Sequence, residues 1–378
     1  MKLKPASAHD ADALVATLRA CNRAANWVSK VAFGKGLKRR NELQEETYYD
    51  VKATYDLAAQ PTVRVVRKVV DAYAALAGLE KSGQLVGKPL SKAKAKPVEF
   101  REDAAQPYDD RILTWNLDQR TVSIWTLAGR IKGVPFVCSE QAMKLLASRK
   151  GESDLVMRDG EFFLIATIDL PEPETYEPEG WLGVDLGIVN IATTSDGQIK
   201  SGRRINRYRR RMRRLTAKLQ RKGTKSAKRR LKAIRRREAR FATDTNHVVS
   251  KQLVNAAERT SRGIALEDLK GIRQRVTAKK EQRYRLHSWA FAQLGGFVEY
   301  KAKRAGVPIV FVDPRNTSRM CSECKHTDRS NRVSQAWFAC RSCGVVVNAD
   351  RNGSRNIAHR ADAVWQRGAV NRPSTVKV

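Results

Sequence analysis

Carboxylates are scarce in the second half of this chain. Of 39 Asp and Glu in 378 residues, only 14 fall in residues 181–378, against 46 Lys and Arg there. Residues 1–180 hold 25 acidic and 27 basic residues, so nearly all of the net charge of +34 belongs to the second half. Such a surplus excludes an enzyme of small neutral metabolites as the default. It points to a polyanionic partner, nucleic acid first and an anionic membrane surface second. Long apolar runs are also missing: none reaches the roughly 18–20 residues of a membrane span. The N-terminus lacks the apolar core of a secretory signal. Cysteine is limited to six residues. Four of them form two Cys-x-x-Cys pairs, which is metal spacing and not a disulfide framework. Cys21 and Cys138 stand alone and read as small buried apolar residues. The chain is expected to be cytoplasmic, with no membrane partner.

What is present divides the chain. Residues 10–33, 41–58 and 62–79 carry apolar residues at helical spacing, for example Leu14, Leu18, Cys21, Ala25 and Val28. They predict a small helical bundle, followed by an exposed Lys/Gly/Ser loop over 82–96. From about 97 the texture turns to short β-rich runs: 112–117, 121–125, 131–137 and 162–166, separated by turn residues. These predict a small barrel of a class that often binds nucleic acid. Residues 170–180, with three prolines and four glutamates, read as a solvated linker and domain boundary. Two strands with an Asp196-Gly197 hairpin turn are expected after it. Residues 203–240 hold 20 Lys/Arg and one acid, Glu238, yet keep an apolar stripe. They predict two helices joined near Gly223-Thr224, and a third helix is expected over 243–260. A strand at 263–267, a helix over 284–305 and a strand at 307–312 complete the pattern.

With so few acids, those in apolar or glycine-rich settings stand out. Asp185 lies inside an apolar strand, sharing one face with Gly183 and Gly187 while Leu182, Val184, Leu186 and Ile188 take the other. A strand carboxylate is costly unless paired or metal-bound, and the glycines leave room for a bulky neighbour. The plainer reading is a charge paired to Lys or Arg. Glu267 ends a second strand, with Asp268 as its rival; the plainer reading there is a solvated strand end. Asp350 follows the second cysteine pair and could simply cap a helix. Together, Asp185, Glu267 and Asp350 could hold two Mg²⁺ ions, which take oxygen ligands and catalyse phosphodiester cleavage as a pair. Cys321, Cys324, Cys340 and Cys343, with 15 residues between the pairs, fit one tetrahedral structural Zn²⁺. His326 is the substitute ligand.

Gly183-Val-Asp-Leu-Gly187, Leu266-Glu-Asp-Leu-Lys270, Ser288-Trp-Ala-Phe291, Thr317-Ser-Arg-Met-Cys-Ser-Glu-Cys324 and Asn348-Ala-Asp350 with Asn356-Ile357 resemble TnpB in order and spacing. TnpB is the RNA-guided nuclease family of insertion-sequence transposons, related to type V CRISPR effectors. The likeness covers about 183–358; the first 180 residues agree in layout only. It implies a multidomain α+β protein. An RNase H-like (RuvC) nuclease domain over 181–316 would continue at 348–378, with a zinc ribbon inserted at 317–347. A wedge-type β-barrel over 1–9 and 97–170, interrupted by a helical recognition lobe over 10–96, would precede it, and 171–180 would be the linker. It also implies that Asp185, Glu267 and Asp350 are catalytic and that the four cysteines hold zinc. The implied partners are a guide RNA from the transposon end and a double-stranded target DNA beside a short transposon-adjacent motif, in a prokaryotic cytoplasm. One RNA would carry a monomer or a dimer. Two departures are local: Lys325 stands where Gly often follows the second cysteine, and Gly353-Ser354 where two alanines are usual.

The basic helices suit the backbone of a guide–target duplex. Arg203, Arg204, Arg207, Arg210, Arg211, Arg214, Arg221, Lys222, Lys225, Arg229 and Arg236 are the candidate contacts; a merely solvated helix face is the plainer reading. Trp289 reads as core before it reads as a base-stacking platform. Three other functions compete: a guide-independent RNase H-like nuclease or transposase, a catalytically silent RNA-guided DNA-binding regulator, and a polybasic membrane-surface protein.

Overall fold

The computed structural model describes residues 1–269 and 291–368, in two compact units, Met1–Leu170 and Pro171–Val378. The expected motif around Trp289, the start of the helix expected from 284, and Lys270 lie outside the described residues.

The first unit opens with strand β1 (Lys2–Leu3) and four helices: α1 (Ala8–Lys35), α2 (Arg40–Tyr55), α3 (Ala59–Lys81) and α4 (Gly87–Lys94). The last occupies the expected loop, but it buries no residue and so stays an exposed segment. Strands β2 (Gln106–Tyr108), β3 (Leu113–Asn116), β4 (Thr121–Thr126) and β5 (Gly129–Val137) follow. After them come helix α5 (Glu140–Leu146) and strands β6 (Arg149–Arg158) and β7 (Glu161–Ile168). Seven strands form one antiparallel sheet in the order β2-β6-β7-β1-β5-β4-β3. Its end strands β2 and β3 are joined by only residues 109–112, so the sheet must curl until its ends nearly meet. The Tyr108 hydroxyl of β2 donates to the Trp125 carbonyl of β4 at 3.3 Å.

Helix α1 joins the two cores of this unit. Leu14 and Leu18 pack into the sheet, whereas Cys21, Ala25 and Val28 pack against α2 and α3. Burial pushes the Cys21 thiol up to about 12. Cys138, expected to be buried, is half-buried at the sheet margin.

The second unit begins with residues 171–180, and here the structure adds to the expectation. Its four glutamates are exposed and the unit boundary falls at its start, yet the segment is also clipped to the second unit. The Tyr176 hydroxyl donates to Arg262 O at 3.0 Å, and Glu179 N donates to Ser261 O at 2.9 Å. Glu177 accepts from the Trp365 indole at 2.8 Å. Strands β8 (Trp181–Asp185), β9 (Asn190–Thr194) and β10 (Ile199–Ser201) lead to helices α6 (Arg203–Lys222) and α7 (Lys225–Glu258). Then come β11 (Gly263–Glu267), α8 (Phe291–Arg304), β12 (Ile309–Val312), the short pair β13 (Trp337–Ala339) and β14 (Val346–Asn348), and α9 (Ala349–Gln366). The helices expected at 225–240 and 243–260 are one continuous rod, because no Gly or Pro interrupts α7.

The main sheet has the order β10-β9-β8-β11-β12, in which β9 alone runs against the other four strands. Period-2 alternation gives it two buried faces. Leu182, Val184, Ile264, Leu266 and Ile309 pack with α7 and α8. Trp181, Ala265, Val310 and Val312 pack with Ile357, Ala361 and Trp365 of α9. Gly183 lies on the α9 side. A Cβ there would collide with Ser354 O and stand 2.6 Å from Ala358 N. The room left by this glycine is therefore filled by the helix backbone. Gly187 has another use: a Cβ would stand 2.7 Å from Asn190 O in the turn to β9. Gly183→Ala is expected to cost about 1–3 kcal/mol or more by overpacking. A denaturant melt should show the loss in the second unit and leave the first unit's transition in place.

Candidate active site and metal centre

β8 and β11 run side by side in parallel, with Leu266 opposite Val184. Asp185 and Glu267 are the next residues along and end both strands on the same side. Alternation turns both toward the face covered by α9, the face of Gly183 and Ala265. The chain returns from the cysteine ribbon through Asn348, whose side chain caps α9 by accepting from Asp350 N and Arg351 N, each at 3.1 Å. This puts Asp350 in the first turn of the helix, where the helix dipole favours an anion. Gly353, one turn on, faces Asp185; a Cβ would sit 3.2 Å from its Oδ2. The departure from the usual alanine thus leaves the Asp185 carboxylate its space.

The three carboxylates have distinct partners. Thr317 Oγ1 donates to Glu267 Oε1 at 2.5 Å. Asn190 Nδ2 donates to Asp350 Oδ2 at 2.9 Å, and Arg332 reaches Asp350 Oδ1 at 3.5 Å. Asp185 is pushed up to about 8, first by burial, then by the charges of Glu267 and Asp350, with Arg332 opposing. Burial raises Glu267 as well, against the Thr317 hydrogen bond and the charges of Arg360 and Arg332. Three acids whose charges oppose one another, two of them buried against their ionised form, are a donor set suited to hard cations. The rival Asp268 continues the ladder through its backbone, donating to Val312 O at 2.9 Å. Thr317, Asn190 and Arg332 had no role in the sequence reading. Arg332 in particular sits between the cysteine pairs, where no spacing rule marks it.

The cysteines form two matching turns. Lys325 N donates to Cys321 O, and Gly344 N to Cys340 O, both at 3.1 Å. Gly344 has φ 72° and Lys325 φ 61°, so the lysine adopts the left-handed turn that glycine takes more easily. All four sulfurs lie within 4.8 Å of one another, with Cys321–Cys343 at 3.7 Å and Cys324–Cys340 at 3.5 Å. Tetrahedral metal–sulfur bonds of about 2.3 Å require such spacing. The N–H groups of Cys343 and Ser342 point at the Cys340 sulfur and hold its thiol down to about 6. Among the described residues this is the one such group of three or more ligands, and it includes no histidine. His326 contributes its backbone, accepting from Cys321 N at 2.9 Å. The centre is stapled to α9: Asn352 accepts from Ser322 N at 2.9 Å and donates to Met320 O at 2.8 Å, and Asn356 donates to Thr317 O at 2.9 Å.

The eleven basic candidates on α6 and α7 are all exposed. Arg207, Arg210, Arg211, Arg214 and Lys218 of α6, with Arg230 of α7, line an open cleft of about 780 Å³. The hairpin is held by the stripe Met212, Leu215, Leu219, Leu231 and Ile234 and by the lone acid Glu238, 3.6 Å from the buried Arg209.

Comparison with known proteins agrees with the motifs. Residues 165–271 match the family model described as a probable transposase, OrfB_IS605, and residues 291–357 match the Cas12f1-like TNB domain. The chain is 40% identical over 129 residues to the CRISPR-associated endodeoxyribonuclease Cas12f1 of Sulfoacidibacillus thermotolerans, covering 34% of this chain and 29% of that protein. A TnpB-like protein of Methanocaldococcus jannaschii is 35% identical over 129 residues, covering 34% and 46%. The putative RNA-guided DNA endonuclease InsQ of Escherichia coli is 28% identical over 211 residues, covering 50% and 51%. The matched region thus spans about half or less of each of these relatives. A Cas12f1–sgRNA–target DNA complex aligns with a TM-score of 0.40 at 15% identity, over 91% of this chain and 94% of that one. The chain is related in sequence to TnpB-like and Cas12f proteins.

The raised Asp185 has a measurable consequence. Without cations, between the ordinary carboxylate range and about pH 8, the folded chain keeps a proton on Asp185 that the unfolded chain has released. Asp185 therefore contributes a loss of stability as pH rises through that window. Thermal melts in chelator should show Asp185→Asn flattening the fall in melting temperature and raising its alkaline end. An unchanged slope would contradict the assignment.

Proposed function

We propose that this TnpB-related chain is an RNA-guided, divalent-metal-dependent DNA endonuclease with an RNase H-like (RuvC) catalytic unit. One observation carries the reading: Asp185 and Glu267 end adjacent parallel strands beside Asp350 at a helix start, in the half of the chain that holds the positive charge. Asp185, Glu267 and Asp350 would hold the ions. Divalent cations such as Mg²⁺, when bound, would supply the Lewis-acid chemistry of phosphodiester hydrolysis.

The chain's own groups do the rest. Thr317 and Asn190 fix the orientation of Glu267 and Asp350 through hydrogen bonds. Arg332 supplies positive charge beside Asp350, where the phosphodiester would lie. A four-thiolate Zn²⁺ would have no open position and so would be structural. Its work is to hold Met320, Ser322 and Thr317 against Asn352 and Asn356, and hence the start of α9 against β8. The cleft arginines suit the sugar-phosphate backbone of a guide–target duplex, leaving sequence choice to base pairing. The names of the relatives support RNA guidance and DNA as the target. The first unit would carry the recognition helices and wedge barrel and read a short transposon-adjacent motif.

Purified with its co-purifying RNA, the protein should cut matched DNA in Mg²⁺. Asp185→Ala should fall to background, and Arg332→Ala should lose about 10²–10³ in kcat, as removal of one charge-stabilising donor does. Specific cutting after the RNA is stripped would favour a guide-independent nuclease. RNA-directed binding without cutting would favour a silent regulator. Cys340→Ser should lose zinc, measured by mass spectrometry of the metal, together with cleavage. Cleavage retained in a zinc-free protein would contradict the structural role.

A further inference from the structure

The cysteine ribbon carries an apolar surface that its metal centre does not use. In the β13–β14 pair, Phe338 and Val347 turn inward and pack against Cys321, Cys340 and Ala349. The opposite face bears Trp337, opposite Asn348, and Val346, opposite Ala339. Trp337 and Val346 are each 59% exposed, as is Val333 nearby. A tryptophan left this open on so small a module is unexplained by packing, since its neighbour Phe338 already fills the core.

Its backbone is held by hydrogen bonds and is tied to the start of α9, where Asp350 lies. Ser334 Oγ accepts from Trp337 N at 3.1 Å and from Ala336 N at 3.3 Å. The Ala336 carbonyl accepts from Ala349 N at 2.9 Å, and the Gln335 carbonyl from Arg332 at 3.2 Å, the same guanidinium that reaches Asp350. Asn348, directly across the ladder from Trp337, caps Asp350. Opposed strand residues are about 5.5 Å apart and two residues span under about 7.6 Å, so the Trp337 and Asp350 Cα atoms are within roughly 13 Å. Residues 317–347 hold five basic and two acidic residues, so the ribbon as a whole favours an anionic chain.

We propose that Trp337 is a positioning residue on which an unpaired base of the strand being cut stacks, with Val346 extending the platform. An exposed aromatic ring among cations binds single-stranded nucleic acid with little sequence preference, because every base offers a π-face. Stacking here would hold the backbone on one side of the scissile phosphate while the carboxylates and Arg332 engage the phosphate. The inference rests on the nuclease reading above.

Two measurements separate its failure from failure of that reading. In the first, the full-length protein with its co-purifying RNA, in Ca²⁺ to suppress cutting, is irradiated with single-stranded DNA bearing 5-iododeoxyuridine. Peptide mass spectrometry should find the base joined to Trp337. Adducts elsewhere but none on this peptide would overturn the proposal, even if the protein cuts DNA. The second is cleavage in Mg²⁺. Trp337→Ala should lower kcat/KM by about 5- to 150-fold, the factor expected for one stacked base. Trp337→Phe should restore most of it. The loss should vanish when the nucleotides flanking the cut are abasic, a dependence that a folding defect would not show. An equal loss on abasic and normal DNA would overturn the proposal. So would a dimer that Trp337→Ala dissociates while the DNA kinetics stay unchanged, which would assign the surface to a second copy of the chain.

Discussion

The close approach of α9 to β8 is the contact on which the second unit's candidate site depends. The glycine on the strand makes it possible, and one on the helix leaves the neighbouring carboxylate a little more room. Gly183 lets the α9 backbone lie on the strand, and Gly353 lets the helix pass the Asp185 carboxylate. Glycine inside a helix costs about 1 kcal/mol against alanine; here that cost leaves room for a carboxylate at the helix–strand junction. The same contact carries Asp350 from the far end of the sequence to the end of β8. Widening it by one methyl group would separate acids that lie 165 residues apart in sequence.

Electrostatics then shapes what this junction can do. Burying Asp185 beside Glu267 and Asp350 disfavours its charge, and Arg332 offsets this only in part. The fold thus gathers three acids, one of them held against ionisation, inside a unit that is otherwise strongly positive. A divalent cation placed there would relieve that repulsion. The sulfur centre serves the same end mechanically. Its loops reach α9 through Asn352 and Asn356, and one of them delivers Arg332 to Asp350.

Much of this was legible in the sequence where local chemistry decides it. Alternation along Gly183-Val-Asp assigned the faces of β8 correctly, because period-2 geometry does not depend on the partner. The cysteine spacing marked a four-sulfur centre, because two tight turns need two short motifs. The basic hairpin and its break at Gly223-Thr224 followed from helical periodicity and left-handed glycine. What remained hidden depends on tertiary contact. The use of Gly183 could be read as space, but only the fold shows that α9 fills it. Arg332 has no local signature, and Asn356 was part of a motif without a role until it was seen to hold Thr317 and Met320. The linker's glutamates are solvated as its composition suggests, but nothing local announced that Tyr176 and Glu177 also tie it to the second unit.

The central claim is that Asp185, Glu267 and Asp350 jointly bind divalent cations. Crystals of the protein with its RNA, soaked in Mn²⁺ and measured at the manganese absorption edge, test this without relying on cleavage. The account predicts two anomalous peaks among the three carboxylates, about 3.5–4 Å apart. No peak there, with Arg332 still paired to Asp350 at saturating Mn²⁺, would contradict it.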